Sequence, residues 1–303
     1  MDSVVLLSGG TGGAKLARGL LEACDDLTVV ANTGDDVDVY GVHVSPDPDL
    51  VTYWLVDLIG ERGWGLRDDT WRVMEALERA GHPHWFRLGD RDLAMCLVRT
   101  ERLRAGETLT QAHRAVVDAI GLEASVLPMS DQPVSTWVTT RGRSIPFQEF
   151  MIVERAEGPV EEVELRGLEH ARPSDAVLQA IAEAEAIVIG PSNPVISIGP
   201  ILALPGMREA LRAAPAPVVA VSPFVGGRAV KGPTDAFCAQ AGIEWSADGI
   251  ARAYADVLDG LVADEAGDGL PGLVTDTLMD TPVDRARLAR EVLGFAASLA
   301  GSR

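Results

Sequence analysis

The chain has 303 residues, 47% of them hydrophobic and 23% charged. That length predicts one large domain or two small ones, and the balance excludes a disordered chain, a collagen or a coiled coil. A formal net charge of −19 argues against binding nucleic acid or an anionic membrane, and no apolar run reaches the roughly 18 residues of a membrane span.

Residues 4–7 form a short apolar run with no basic stretch before it, which predicts a buried strand rather than a secretion signal. The glycine-rich run SGGTGGAK follows, then Leu16, Leu20, Leu21 and Cys24 at helical spacing. A second apolar run, 27–31, ends in Asn32-Thr33-Gly34-Asp35-Asp36. Strand, loop, helix, strand predicts an α/β protein with a Rossmann-like, doubly wound, mainly parallel sheet. From 50 to 124 the pattern is helical without a clear strand, so we expect a helical insertion subdomain, 50–124, within a Rossmann-like domain of residues 1–49 and 125–303. Strand signals return at 124–127, 186–189 and 218–221, with a β-rich stretch at 147–153, and the C-terminal part reads as helical again. Cys24, Cys96 and Cys238 are far apart and form no CxxC pair, which predicts a reduced, cytoplasmic protein. Lys15 and Lys231 are the only lysines, and Lys15 lies in the glycine run.

Each predicted strand end carries polar residues. In the first, Gly9, Gly10, Gly12 and Gly13, with Thr11 and Lys15, let backbone N–H groups approach an anion at a helix start. The spacing fits neither a P-loop nor the usual dinucleotide fingerprint, and the alternative is a tight turn. The second combines Asn32, Asp35 and Asp36 with the run Ser45-Pro46-Asp47-Pro48-Asp49. Read as an extended segment, the latter points Asp47 and Asp49 the same way. Clustered carboxylates can hold Mg²⁺ or take a proton from a hydroxyl; turn and cap chemistry is the alternative. Asp90-Arg91-Asp92 is either a surface helix start or a place where Arg91 offers a planar donor to a ligand. Met129–134, Gly190-Pro191-Ser192-Asn193-Pro194 and 222–227, with Lys231 beyond, repeat the strand-end pattern. His82 and His84 have no visible third ligand. An anionic nucleotide in so acidic a chain needs local N–H groups and a divalent cation, which suggests phosphoryl-type transfer.

The runs LSGGTGGAKLARGL, VVANTGDD, GVHVSPDPD, LGDRDLA, VLPMSDQPVSTWV, IVIGPSNPVISIGPIL and VAVSPFVGG occur in that order. Together, from residue 4 to the TDTLM run at 275–279, they resemble the CofD family, called FbiA in actinobacteria: the 2-phospho-L-lactate transferases of coenzyme F-420 biosynthesis. The resemblance implies a Rossmann-like homodimer that depends on Mg²⁺. It implies two substrates: Fo, the 8-hydroxy-5-deazaflavin riboside, and a guanylylated phospholactate or phosphoenolpyruvate. A ribityl hydroxyl of Fo attacks the acid-side phosphorus, GMP leaves, and coenzyme F-420-0 or its dehydro form results. Carried over by motif, Asp49 and Arg91 contact Fo, and Asp49 and Asp47 serve catalysis. Asp35, Asp36 and Asp47 bind metal or orient the hydroxyl. Gly9, Gly10, Thr11, Gly12, Gly13, Lys15, Asn32, Ser192 and Asn193 face the nucleotide, GDP or GMP. The chain departs from many relatives in carrying Pro48 and Leu50 around Asp49. Its start is also similar to the YvcK-like gluconeogenesis factors, which would make it a non-catalytic binder of nucleotide sugars. Those carry a DDGGSSG-type run where this chain has NTGDDVDVYG.

Overall fold

The computed structural model describes residues 1–229 and 233–300; Lys231 lies outside them. Strand β1 (Ser3–Ser8) buries five residues in succession, as a strand covered on both faces does. The chain turns at Gly9 into α1 (Gly10–Leu20) and returns as β2 (Asp26–Ala31). A hairpin, β3 (Val37–Val39) and β4 (Val42–Val44), turns on Tyr40 and Gly41, both at positive φ, as two-residue hairpins require. Helices α2 (Pro46–Leu55), α3 (Arg72–Arg79), α4 (Asp90–Arg104) and α5 (Leu109–Ile120) follow, then β5 (Ser125–Pro128). An antiparallel sheet of β6 (Ser135–Thr140), β7 (Arg143–Pro146) and β8 (Glu162–Arg166) includes α6 (Phe147–Ile152) between its last two strands. The remainder is α7 (Asp175–Glu183), β9 (Ala186–Ile189), α8 (Ile198–Ala203), α9 (Met207–Ala213), β10 (Val218–Val221), the two-residue strands β11 (Phe224–Val225) and β12 (Arg228–Ala229), α10 (Thr234–Ala241), α11 (Ala247–Ala253), β13 (Gly260–Ala263), β14 (Gly272–Val274) and α12 (Pro282–Leu299).

Seven strands form the central sheet in the order β14-β13-β10-β9-β1-β2-β5, every pair parallel. The α/β, doubly wound expectation is met. Side chains alternate between two cores, as the strand period dictates. Val5, Leu7, Ile187 and Ile189 pack with α7, α8, α9 and α11 on one face. Val4, Leu6, Val29 and Val188 pack with α1, α2, α5 and α12 on the other. β1 lies between β2 and β9, so the chain winds away from it in both directions. The crevice at such a switch point, above the strands' carboxyl ends, is where ligands bind in this architecture.

Two expectations fail. The stretch 147–153 is not β-rich: Phe147–Ile152 is a helix. Its aromatic content suggests a strand, but Phe147 and Phe150 are three residues apart and share one helical face. Both pack edge-on against Phe237, with ring centroids 6.1 and 6.0 Å away. The C-terminal part is not wholly helical either, because β13 and β14 complete the sheet. From 50 to 124 the named elements are all helices. The helices at its two ends, α2 and α5, put Val51 and Val117 into the sheet's core. Among the described residues, no helix is long and apolar enough to cross a membrane.

Candidate active site

A cavity of about 370 Å³ opens above the carboxyl ends of β1, β9 and β10. Gly9, Gly10, Thr11, Gly12 and Lys15 form one wall, and Ser192 and Asn193 another. Asp35 and Asp47 enter from the β2 side, and Phe147 and Met151 of α6 supply apolar surface. Three sequence motifs far apart in the chain therefore meet.

Hydrogen bonds fix them together. The Gly10 N–H donates to Asp47 Oδ1 at 2.7 Å, and Asn32 Nδ2 donates to Asp47 Oδ2 at 3.0 Å. Asp47 thus sits at the N-terminus of α1, where a negative charge is favoured. The Gly13 N–H donates to Ser192 Oγ at 3.2 Å. The glycines also serve packing: a Cβ on Gly12 would strike the Pro191 carbonyl, and one on Gly13 the Ser8 hydroxyl. The tight-turn reading of this loop therefore holds, with the Gly10 and Gly13 N–H groups bonded to Asp47 and Ser192.

Asn193 is a loop organiser. Its Oδ1 accepts from the Val195 and Ile196 N–H groups at 2.8 and 3.2 Å, and its Nδ2 donates to Thr234 Oγ1 at 3.3 Å. Lys15 Nζ stands 3.7 Å from Asp280 Oδ1 at the cavity's edge.

The acidic residues separate into different roles. Asp35 is buried, lines the cavity, and has one carboxylate oxygen without a hydrogen-bond partner. Burial, and then the charge of Asp47, hold its carboxyl well above the usual range. Burial pushes Asp47 up to about 6 against the hydrogen bonds from Asn32 and Gly10. Two hard oxygen donors of this kind fit a small divalent cation. Asp36 instead accepts from Ser45 Oγ at 2.8 Å and meets His43 Nε2 at 3.0 Å, outside the cavity lining. Burial raises its pKa, and the His43 bond opposes that.

Asp49 does not accompany Asp47. The run read as extended is the first turn of α2: Ser45 precedes it and Pro46 opens it, the position where proline is favoured. Two residues on a helix are about 200° apart, so the carboxylates point to opposite sides. Asp49 is absent from the cavity lining, and its Oδ1 accepts from Arg99 Nη2 instead. Arg91 also stands apart from the cavity. It is exposed at the start of α4, and its Nη1 donates to the Arg67 carbonyl at 3.2 Å.

The group around Asp49 went unseen in the sequence. Arg99 is fully buried, Tyr53 donates to Asp92 Oδ1 at 2.8 Å, and Asp49, Asp92 and Cys96 bring ligating atoms within 4.8 Å of one another. It is the one such triple among the described residues. The Arg99 guanidinium already supplies the positive charge there. Burial, and then the charge of Asp49, push Asp92 up to about 7. Asp92, Cys96 and Arg99 follow the i, i+4, i+7 spacing of one helical stripe, and that was the available signal.

A sequence model of the family described as 2-phospho-L-lactate transferase CofD matches residues 4–284. A phosphoenolpyruvate transferase of Kitasatospora aureofaciens is 42% identical over 97% of this chain and 97% of its own. A 2-phospho-L-lactate transferase of Methanosarcina mazei is 43% identical over 86% of this chain and 87% of its own. Among solved structures, a UPF0052 family protein of Bacillus halodurans aligns with a TM-score of 0.62 at 17% identity, covering 97% of this chain and 99% of that one. At that identity the likeness concerns the fold alone.

Proposed function

The chain belongs to the 2-phospho-L-lactate transferase CofD family, and on that premise we propose that it transfers a phospholactyl or phosphoenolpyruvyl group to Fo in coenzyme F-420 biosynthesis. The donor is the guanylylated acid, and GMP is released. The observation that carries this reading is the meeting of the glycine loop, the Ser192 loop and the Asp35–Asp47 pair in one cavity at the switch point. Backbone N–H groups of the glycine loop and Lys15 bind the donor's diphosphate, and the apolar wall at Phe147 and Met151 takes its base. Mg²⁺ held by Asp35 and Asp47 would neutralise charge that develops on the phosphoryl oxygens.

The acceptor approaches from the α4 side of α2, where Asp49 Oδ2 is buried without a partner. The hydroxyl oxygen forms a bond to the acid-side phosphorus, the bond from that phosphorus to the GMP oxygen breaks, and the hydroxyl proton passes to the Asp35–Asp47 carboxylates that line the cavity, while Asp49 Oδ2 accepts from another hydroxyl of the acceptor. Burial raises the Asp49 pKa against the pull of Arg99, which makes it a stronger hydrogen-bond acceptor for the deazaflavin side than an exposed aspartate. The same reading makes the enzyme a cytoplasmic homodimer.

Mass spectrometry of a reaction with Fo, Mg²⁺ and each guanylylated donor in turn tests the proposal. An Fo phosphodiester with stoichiometric GMP supports it, and the preferred donor identifies the acid. Binding of donor without product from a folded protein would overturn it in favour of a non-catalytic nucleotide binder.

A further inference from the structure

Arg99 is carried by α4, in a stretch where arginines at 91, 102 and 104 all face solvent to some degree, yet it is 0% exposed. Its guanidinium joins three segments. Nη2 donates to Asp49 Oδ1 on α2, and Nη1 donates to the His43 carbonyl on β4 at 3.3 Å.

An arginine and a carboxylate that serve only the fold normally close a two-pronged pair, because each buried polar atom left alone costs stability. This pair does not close. Asp49 Oδ2 and Arg99 Nε are both buried and both unpartnered. Asp92, on the same stripe of α4, is engaged by Tyr53 rather than by Arg99. One carboxylate oxygen is anchored, and the other is held free.

We propose that Arg99 is a positioning residue for the transfer reaction: it grips Asp49 by one oxygen and so presents Oδ2 to the bound acceptor, which holds the deazaflavin in place for attack. The inference rests on the reading of Asp49 given above. Arg99 acts through Asp49 alone. The donor side of α2, where Asp47 meets Gly10 and Asn32, lies on the opposite face and does not depend on it.

The test is a mutant cycle on the full chain, reading kcat, both KM values, and deazaflavin affinity from the chromophore's own fluorescence. The variants are Arg99→Lys, Arg99→Met, Asp49→Asn, and the double Asp49→Asn/Arg99→Met. Arg99→Met is expected to lower kcat about 100-fold while the donor KM stays within about threefold. Arg99→Lys, which keeps the charge, is expected to recover about tenfold of that loss. In the Asp49→Asn background, Arg99→Met is expected to change kcat by less than about threefold, because two residues acting as a unit are not additive.

Arg99→Met strands a buried carboxylate and can fail to fold. The double variant removes both charges, so it and Arg99→Lys decide the matter without it. Equal kcat in the double and in Asp49→Asn supports the inference, and a further large loss in the double overturns it. A folded Arg99→Lys with wild-type kcat, or a donor KM that rises in step with the loss, also overturns it. Wild-type turnover in Asp49→Asn overturns the assignment of Asp49 and this inference together. A wild-type chain that binds the deazaflavin but does not transfer overturns only the reaction. Deazaflavin affinity in Arg99→Lys then decides: a loss matching that of Asp49→Asn upholds the grip, and an unchanged affinity overturns it.

Discussion

Asp47 and Asp49 show how one helical turn divides two tasks. Asp47 accepts from Gly10 and Asn32 on the cavity side, and Asp49 accepts from Arg99 on the other. Replacing Asp49 by alanine would leave Arg99 charged and alone, so Asp49→Asn is the cleaner probe. It is expected to lose most turnover while thermal unfolding stays cooperative; turnover near wild type would remove Asp49 from the reaction. Lys15→Ala is expected to raise the donor KM several-fold and to leave deazaflavin affinity unchanged, since Lys15 stands at the glycine loop. A matched loss of both affinities would contradict that. Asp92 governs a pH effect. Its pKa rises to about 7 in the folded chain, from about 3.9 when unfolded. Between those values the folded state binds more protons than the unfolded one, so stability falls as pH rises through the window. Asp92→Asn keeps an acceptor for Tyr53 and removes the titration. Its stability relative to wild type is expected to improve by about 4 kcal/mol from pH 4 to pH 8, measured by urea unfolding. An identical pH dependence in both proteins would show that Asp92 titrates normally.

At the level of elements, α1 and α12 meet at Gly19. A Cβ there would strike the Arg285 backbone carbonyl, so only glycine lets the two helices approach. Helix α12 contributes Leu288, Val292 and Ala296 to the core beside α1. Gly19→Ala is therefore expected to cost about 1–3 kcal/mol in chemical denaturation. The long regular elements were legible in the sequence. Residues 4–7, 186–189 and 218–221 are continuous apolar runs, and such runs mark strands buried on both faces. The short hairpins were not. Val37–Val39 has only three residues, and the β6–β7 turn places Arg141 at φ 49°, where composition points to glycine or asparagine. Within the site, the glycine loop and its carboxylate neighbours were legible because they punctuate strand ends. The orientation of Asp49 was misread although Ser45 and Pro46 announce a helix start. Arg99 is hard to read because its one local signal, the helical stripe it shares with Asp92 and Cys96, does not separate a buried arginine from a solvated one; its burial is decided by α2 and β4, some 50 residues away in sequence.

For the whole molecule, a net charge of −19 means that the folded chain repels itself and repels an anionic donor. Salt screens such repulsion over about 10 Å at 0.1 M. Both the unfolding temperature and the donor association rate are expected to rise between 20 mM and 300 mM NaCl; a fall in either would show that local attraction outweighs the overall field. The sheet order bears on a different matter, the time course of synthesis. β1 is an interior strand of the sheet, with β2 on one side and β9, about 180 residues later, on the other. At about 5–20 residues per second, a ribosome needs roughly 10–30 s to travel from the end of β2 to β9. Throughout that interval β1, already joined to its glycine loop, presents one unpaired edge in the centre of the future molecule. The nascent chain is most prone to mispairing before residue 186 emerges, and the glycine loop that lines the cavity is made first but acquires its Ser192 wall only when the far half arrives.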